Sequence, residues 1–163
     1  MKLNNLKDLL IHELQDIYSA EHQITKALPK MIKATSSDKL AQAFEKHLQE
    51  TEKQIERLDQ VFELMGEKSK GEKCKAMEGI IKEADSMMSE KADKSVMDAA
   101  LIGSAQRVEH YEIAAYGTVC TWAKQLEMTD VLNLLVMTLE EEKKTDALLT
   151  KIAEKTVNIQ AEK

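Results

Sequence analysis

Four long stretches of this sequence repeat apolar side chains at alternating steps of three and four residues, the spacing that gathers them on one face of a helix. From about Leu3 to Lys33, the residues Leu10, Leu14, Ile17, Ile24 and Leu28 fall on one line once position 21 is counted. From about Asp38 to Met65, the line is Leu40, Phe44, Leu48, Ile55, Leu58, Phe62 and Met65. A third helix is expected from about Ser95 to Gln125, with its stripe through positions 102, 105, 109, 112, 116 and 119. A fourth runs from about Asp130 to Val157 through positions 135, 138, 142, 145, 149 and 152, leaving Asn158 to Lys163 as a frayed end.

The breaks between these stretches set the topology. Pro29 should kink or end the first helix in its last turn. Thr35-Ser36-Ser37-Asp38 is a short polar link that supplies an N-cap, so the first two helices form an antiparallel hairpin. Gly66 to Glu72 is the clearest loop. A shorter helix follows at about Lys73–Ser89, with Met77, Ile80, Ile81, Ala84 and Met88 apolar, and reads as part of a long crossover, 66–94. Ser95 with Asp98 three residues on resembles a capping box. Glu127-Met128-Thr129 is a brief turn into the last helix. Two hairpins, about 3–65 and 95–157, joined by one long connection predict a single all-α domain over 1–163, a ferritin-like antiparallel four-helix bundle. A repeat near 3.5 residues predicts left-handed packing at a shallow angle.

The hairpins also resemble each other. Glu21-His22 recurs as Glu109-His110, 88 residues later, and Glu50 matches Glu141 at an offset of 91 or Glu142 at 92. Internal duplication is the reading that agrees with the predicted hairpins.

Composition supports the helical reading, with one proline and five glycines in 163 residues. The net charge of −6 comes from interspersed lysines and glutamates, the pattern of solvated helix faces. There is no basic footprint for nucleic acid, and no apolar run nears the roughly 20 residues of a membrane span. The N-terminus lacks a continuous apolar signal core, so a cytoplasmic address is expected. Two cysteines, Cys74 and Cys120, are too few for a disulfide framework or a zinc site.

The chemistry enters where the stripes turn polar. Position 21 of the first helix is Glu, positions 109 and 112 of the third are Glu, and position 142 of the fourth is Glu. In the second helix, His47, Glu50, Gln54 and Arg57 are expected on a flank beside the apolar stripe. Ionised carboxylates in a dry core cost several kcal/mol each unless paired or bound to metal. Four or five at one level need a cation, and hard oxygen ligands suit iron or manganese. Natural and designed di-metal bundles combine one Glu from each of two helices with Glu-x-x-His from each of the others. That motif is missing here, since Lys53 follows Glu50 by three and Thr145 follows Glu142 by three. His47, three residues before Glu50, is the nearest substitute, and Gln54 and Asp146 stand four residues after Glu50 and Glu142.

Tyr18-Ser-Ala-Glu21, His47-Leu-Gln-Glu50, Gln54-Ile-Glu-Arg57, Cys74-Lys-Ala-Met-Glu-Gly79, Asp98-Ala-Ala-Leu-Ile, Val108-Glu-His-Tyr-Glu-Ile113 and Leu139-Glu-Glu-Glu-Lys-Lys-Thr-Asp146 resemble the bacterial YciF-like stress proteins of the ferritin-like superfamily. The resemblance implies a cytoplasmic homodimer acting under stress. Related ferritin-like proteins handle peroxide at two metals, which extends the implication to a dinuclear iron or manganese site reactive toward peroxide or oxygen. Carried over by position, Glu21, Glu50, Glu109, Glu112 and Glu142 match carboxylate ligands. His47, Gln54, Asp146, Tyr18 and Tyr116 are further candidates for ligation or support. The absent Glu-x-x-His is a departure from the di-iron pattern.

A plainer account also fits. The inward glutamates would pair with Arg57, Arg107, lysines or water, and the bundle would be a non-enzymatic dimerising module. The direction in which Arg57 points separates the two. Gly103, Ala114 and Gly117 on one face of the third helix would admit a close neighbour, such as a helix of a second subunit.

Overall fold

The computed structural model describes residues 2–163. Its elements are α1 (Leu6–Ala34), α2 (Asp38–Met65), α3 (Lys75–Met88), α4 (Lys94–Gln125) and α5 (Thr129–Ile152), followed by a π-helical turn (Ala153–Val157) and a last turn α6 (Asn158–Ala161). The expected helical bundle is therefore present. No helix among the described residues is long and apolar enough to cross a membrane.

Local sequence explains most boundaries. Asn5 caps α1 by accepting from the Asp8 amide at 2.9 Å, so Leu3 lies outside the helix. Pro29 is carried inside α1, which runs one further turn to Ala34. Ser37 caps α2, and Gly66 ends it with φ +68°, a backbone conformation that side chains with a Cβ resist.

Three expectations are corrected. Asp93 rather than Ser95 stands at the N-cap of α4, and Asp98 is buried instead of capping. The Asp98 carboxylate accepts from Thr35 Oγ1 (2.5 Å), Ser36 N (2.8 Å) and Ser36 Oγ (2.7 Å), tying the α1–α2 turn to α4. The chain after Val157 stays helical to Ala161, anchored by Val157, which is fully buried.

The two short hairpins place α1 against α2 and α4 against α5. Thr35–Asp98 and Glu21–Tyr116 contacts run α4 antiparallel to α1, and Gln54–Glu142 and Arg57–Thr138 contacts run α5 antiparallel to α2. The crossover must then climb the bundle, and α3 does so against α1 and α4. It is pinned at its start, where Cys74 N donates to Ser19 Oγ (2.9 Å) and Gln23 Nε2 donates to Cys74 O (3.0 Å). Cys74 Sγ faces the Tyr111 hydroxyl at 3.2 Å, and that hydroxyl donates to Asp16 at 2.7 Å.

The apolar core comes in two pieces. One is built from Ile24, Leu28, Phe44, Leu101, Ala105 and Leu149 with their neighbours, the other from Leu14, Ile17, Leu58, Val119 and Leu135 with theirs. Between them, every long helix contributes polar side chains to one buried level.

Candidate metal centre

The polar level follows from the helical repeat. Glu21 of α1, Glu109 and Glu112 of α4, and Glu142 of α5 occupy the inward positions that the apolar spacing marks, and each is at most 1 % exposed. The α2 stripe differs from expectation. Leu48 and Ile55 are only half-buried, whereas His47, Thr51 and Gln54 are shut inside. His47 and Gln54 are therefore centre-line residues rather than flank residues. A stripe chosen by hydrophobicity alone passes over them, because the polar layer has replaced the apolar residues at those turns.

His47 meets three of the glutamates. Its Nδ1 lies 3.0 Å from Glu109 Oε1, and its Nε2 lies 3.7 Å from Glu142 Oε2 and 4.0 Å from Glu112 Oε2. One ligand atom from each of His47, Glu109, Glu112 and Glu142 fits within 4.8 Å of the others. Glu21 closes the layer from α1, with Oε1 accepting from the Tyr116 hydroxyl.

Other candidates stand further out. Glu50 is half-buried and pairs with Lys46 at 2.8 Å. Asp146 accepts from Gln106 at 2.9 Å and lies 3.3 Å from His110 Nε2. Tyr18 packs edge-on against His22 and Phe62. Gln54 belongs to the support of the layer, its amide donating to Glu142 Oε1 and, at 3.0 Å, to Glu141 Oε2. Arg57 turns to Glu141, donating to both carboxylate oxygens at 2.9 and 3.0 Å and to Thr138 Oγ1 at 2.6 Å. Arg57 therefore does not neutralise the four central glutamates. Glu141 was not singled out in the sequence, although its offset of 91 from Glu50 was the clue. At that offset His47, Thr51 and Gln54 fall on Thr138, Glu142 and Thr145, all of them buried.

Burial dominates the electrostatics. It pushes Glu21, with the Glu142 charge adding to it, up to about 8 against an ordinary 4.5. Glu109 is likewise pushed up to about 8 by burial. Glu112 and Glu142 rise well above the usual carboxylate range, mainly through burial. Glu141 goes the other way: burial raises it, but the hydrogen bonds from Arg57 and Gln54 outweigh that and hold it below 4.5.

Six carboxylate oxygens find no hydrogen-bond partner among the described residues: Glu21 Oε2, both of Glu109, both of Glu112, and Glu142 Oε2. His47 Nδ1 approaches Glu109 Oε1 at 3.0 Å without hydrogen-bond alignment, and its Nε2 has no hydrogen-bond partner among the described residues. Buried polar atoms are seldom left in this way, and a set of carboxylate and imidazole atoms converging from four helices is the donor chemistry of a metal site. Fully ionised, the four carboxylates would carry four negative charges, which two divalent ions would balance. His47, Glu109, Glu112 and Glu142 are thus a group that could hold a metal ion.

A family model described as a domain of unknown function (DUF892) matches residues 5–162. Protein YciF of Escherichia coli is 52 % identical over 163 residues, covering 99 % of this chain and 98 % of YciF. The crystal structure of that protein, called a stress protein, superposes with a TM-score of 0.92 over 95 % of this chain and 98 % of its own. YcfI of Rhodopseudomonas palustris, for which a structural role has been suggested, is also 52 % identical, with a TM-score of 0.89 over 91 % of this chain and 95 % of its own. A Xanthomonas campestris protein shares the fold at 20 % identity, with a TM-score of 0.75 over 92 % of both chains. Matched along nearly its whole length in sequence and in structure, the chain belongs to the YciF-like family, described as a domain of unknown function (DUF892).

Proposed function

We propose that this protein is a stress-response metalloprotein whose buried layer holds two iron or manganese ions and reacts with oxygen or peroxide. The observation that carries this reading is the set of unpartnered donor atoms on Glu21, His47, Glu109, Glu112 and Glu142. Glu109 and Glu112 have no aligned hydrogen bond fixing either oxygen, so both oxygens of each could serve as ligands. Glu21 and Glu142 each offer one oxygen, since Tyr116 and Gln54 hold the other. His47 supplies nitrogen. Tyr116 and Gln54 orient carboxylates in the way that outer partners tune metal ligands. The apolar clusters above and below keep bulk water from the layer. Bound iron or manganese would supply the electron-transfer chemistry toward oxygen that the protein's own side chains lack.

In this reading the protein is a cytoplasmic homodimer. Two buried free cysteines, Cys74 and Cys120, suit a reducing compartment. A Cβ built at Gly103 or Gly117 meets nothing within 4 Å, so the small-residue face of α4 has room for a second copy.

A second reading, a non-enzymatic structural bundle, is favoured by the raised carboxyls. With Glu21 and Glu109 at about 8, the layer can stay partly neutral by protonation near pH 7. The structural role suggested for the Rhodopseudomonas relative agrees with it. Elemental analysis separates the two. Protein purified without chelator and reconstituted anaerobically with iron(II) or manganese(II) should hold about two equivalents, as a two-metal site requires, and Glu109→Gln/Glu142→Gln should lose them. Absence of bound metal in both preparations would leave the structural reading.

A further inference from the structure

We propose that the crossover helix α3 roofs an apolar passage that admits dioxygen to the buried carboxylate layer. The proposal takes its purpose from the metal-centre reading and its geometry from the protein alone. A cavity with about 20 Å³ open to a water-sized molecule lies among α1, α3 and α4. Its walls include Ile24, Leu28, Met31, Ile81, Met88 and Val108, and the two residues of the polar layer that line it are His47 and Glu109. Those two belong to the candidate ligand group, so the passage abuts the layer at two of its members.

Two features face the exterior. Asp85 of α3 lines the cavity, and its carboxylate is held by Lys30 of α1 at 3.0 Å in a half-exposed ion pair. Ser104 of α4, 4 % exposed, is a wall shared by this cavity and by a groove of about 540 Å³ between α3 and α4 that Lys82, Glu90 and Arg107 also line. The passage thus comes nearest the exterior at Asp85 of α3 and at Ser104 of α4, where the crossover helix meets the bundle.

The dimensions and chemistry of the walls select the occupant. A cavity of this size holds one molecule as small as water. Apart from His47, Asp85, Ser104 and Glu109 the lining is apolar, so ions and strongly hydrated solutes would lose most of their water shells without replacement. Dioxygen is diatomic, neutral and makes no hydrogen bonds worth keeping, so it enters at little cost.

The test begins with metal-free, methyl-labelled full-length protein under dioxygen pressure. Paramagnetic relaxation should be enhanced at the methyls of Ile24 and Leu28 relative to the comparably buried methyls of the other half-core, Leu14, Leu58 and Val119. Ala84→Leu, which fills the passage from α3, should remove that enhancement, and Ile81→Ala, which widens it, should increase it. The metal-loaded Ala84→Leu protein should hold as much metal as the parent and consume dioxygen more slowly. Uniform relaxation in both halves, or relaxation indifferent to both substitutions, would overturn the passage. A protein that binds no metal but shows the localised relaxation would remove the proposed function and leave the passage standing.

Discussion

Tyr116 of α4 donates its phenolic hydrogen to Glu21 of α1 inside the bundle, where neither side chain has measurable exposure. Burial, and then the Glu21 charge, push the phenol well above its ordinary range, so it stays a donor at any pH the protein meets. The bond fixes one oxygen of Glu21 and leaves the other aimed into the layer. Tyr116→Phe would free both oxygens. Metal affinity is expected to fall about 10- to 100-fold, the usual effect of losing such a partner, measured by anaerobic titration calorimetry with iron(II) or manganese(II). Unchanged affinity would show that Glu21 is not a ligand.

The raised carboxyls make a prediction about pH. In the unfolded chain a glutamate titrates near 4.5, whereas Glu21 and Glu109 in the folded protein titrate at about 8. Below the lower value both states hold the proton and nothing is lost. Between the two values the folded state still holds it while the unfolded state has released it, so stability of the metal-free protein falls as pH rises through this window. The slope should be on the order of 1 kcal/mol per pH unit for each such carboxyl. Urea unfolding across the window reads it. Glu109→Gln should flatten the slope and stabilise the metal-free protein at the upper end by roughly 1–3 kcal/mol. With metal present the dependence should reverse, because coordination needs the carboxylates deprotonated.

Arg57 stabilises the rim, not the centre. Its two-pronged bond to Glu141 and its contact with Thr138 join α2 to α5. Arg57→Ala should destabilise the fold by about 1–3 kcal/mol, as for other charge-assisted bonds, while leaving metal stoichiometry intact. Loss of metal in this variant would place Glu141 among the ligands. Arg57→Lys should recover only part of the stability, since an ammonium cannot make both bonds in the same plane.

Asp98 is the long-range clamp. Its carboxylate is 2 % exposed and accepts three hydrogen bonds from the α1–α2 turn. Asp98→Ala should cost about 3 kcal/mol, the scale for bonds to a charged group, and thermal unfolding would report it. Hydrogen exchange should quicken first at Thr35 and Ser36.

The stripes of α1, α4 and α5 were legible in the sequence because each keeps enough apolar residues to set the phase. Every position on them, including Glu21, Glu109, Glu112 and Glu142, is buried. On α2 the phase was lost, since His47, Thr51 and Gln54 occupy three successive inward turns and Leu48 and Ile55 offered a more hydrophobic line beside them. Glu50 shares the expected flank with His47 and Gln54, yet a shift of one residue separates it from the inward Thr51. Asp98 was misread because its partners lie more than sixty residues away in sequence, beyond any local pattern. The passage under α3 depends on how the crossover settles on α1 and α4, which no spacing within a helix encodes.

The division of the core into two apolar clusters has a consequence for motion. Each cluster has its own buried apolar residues, with Tyr111 packed against both. Substitutions such as Leu14→Ala and Leu28→Ala, one on either side, should therefore act almost independently. In amide exchange the bundle would behave as two cooperative units stacked along one axis. Ions seated between those units would rivet them, making the opening of either end depend on the other.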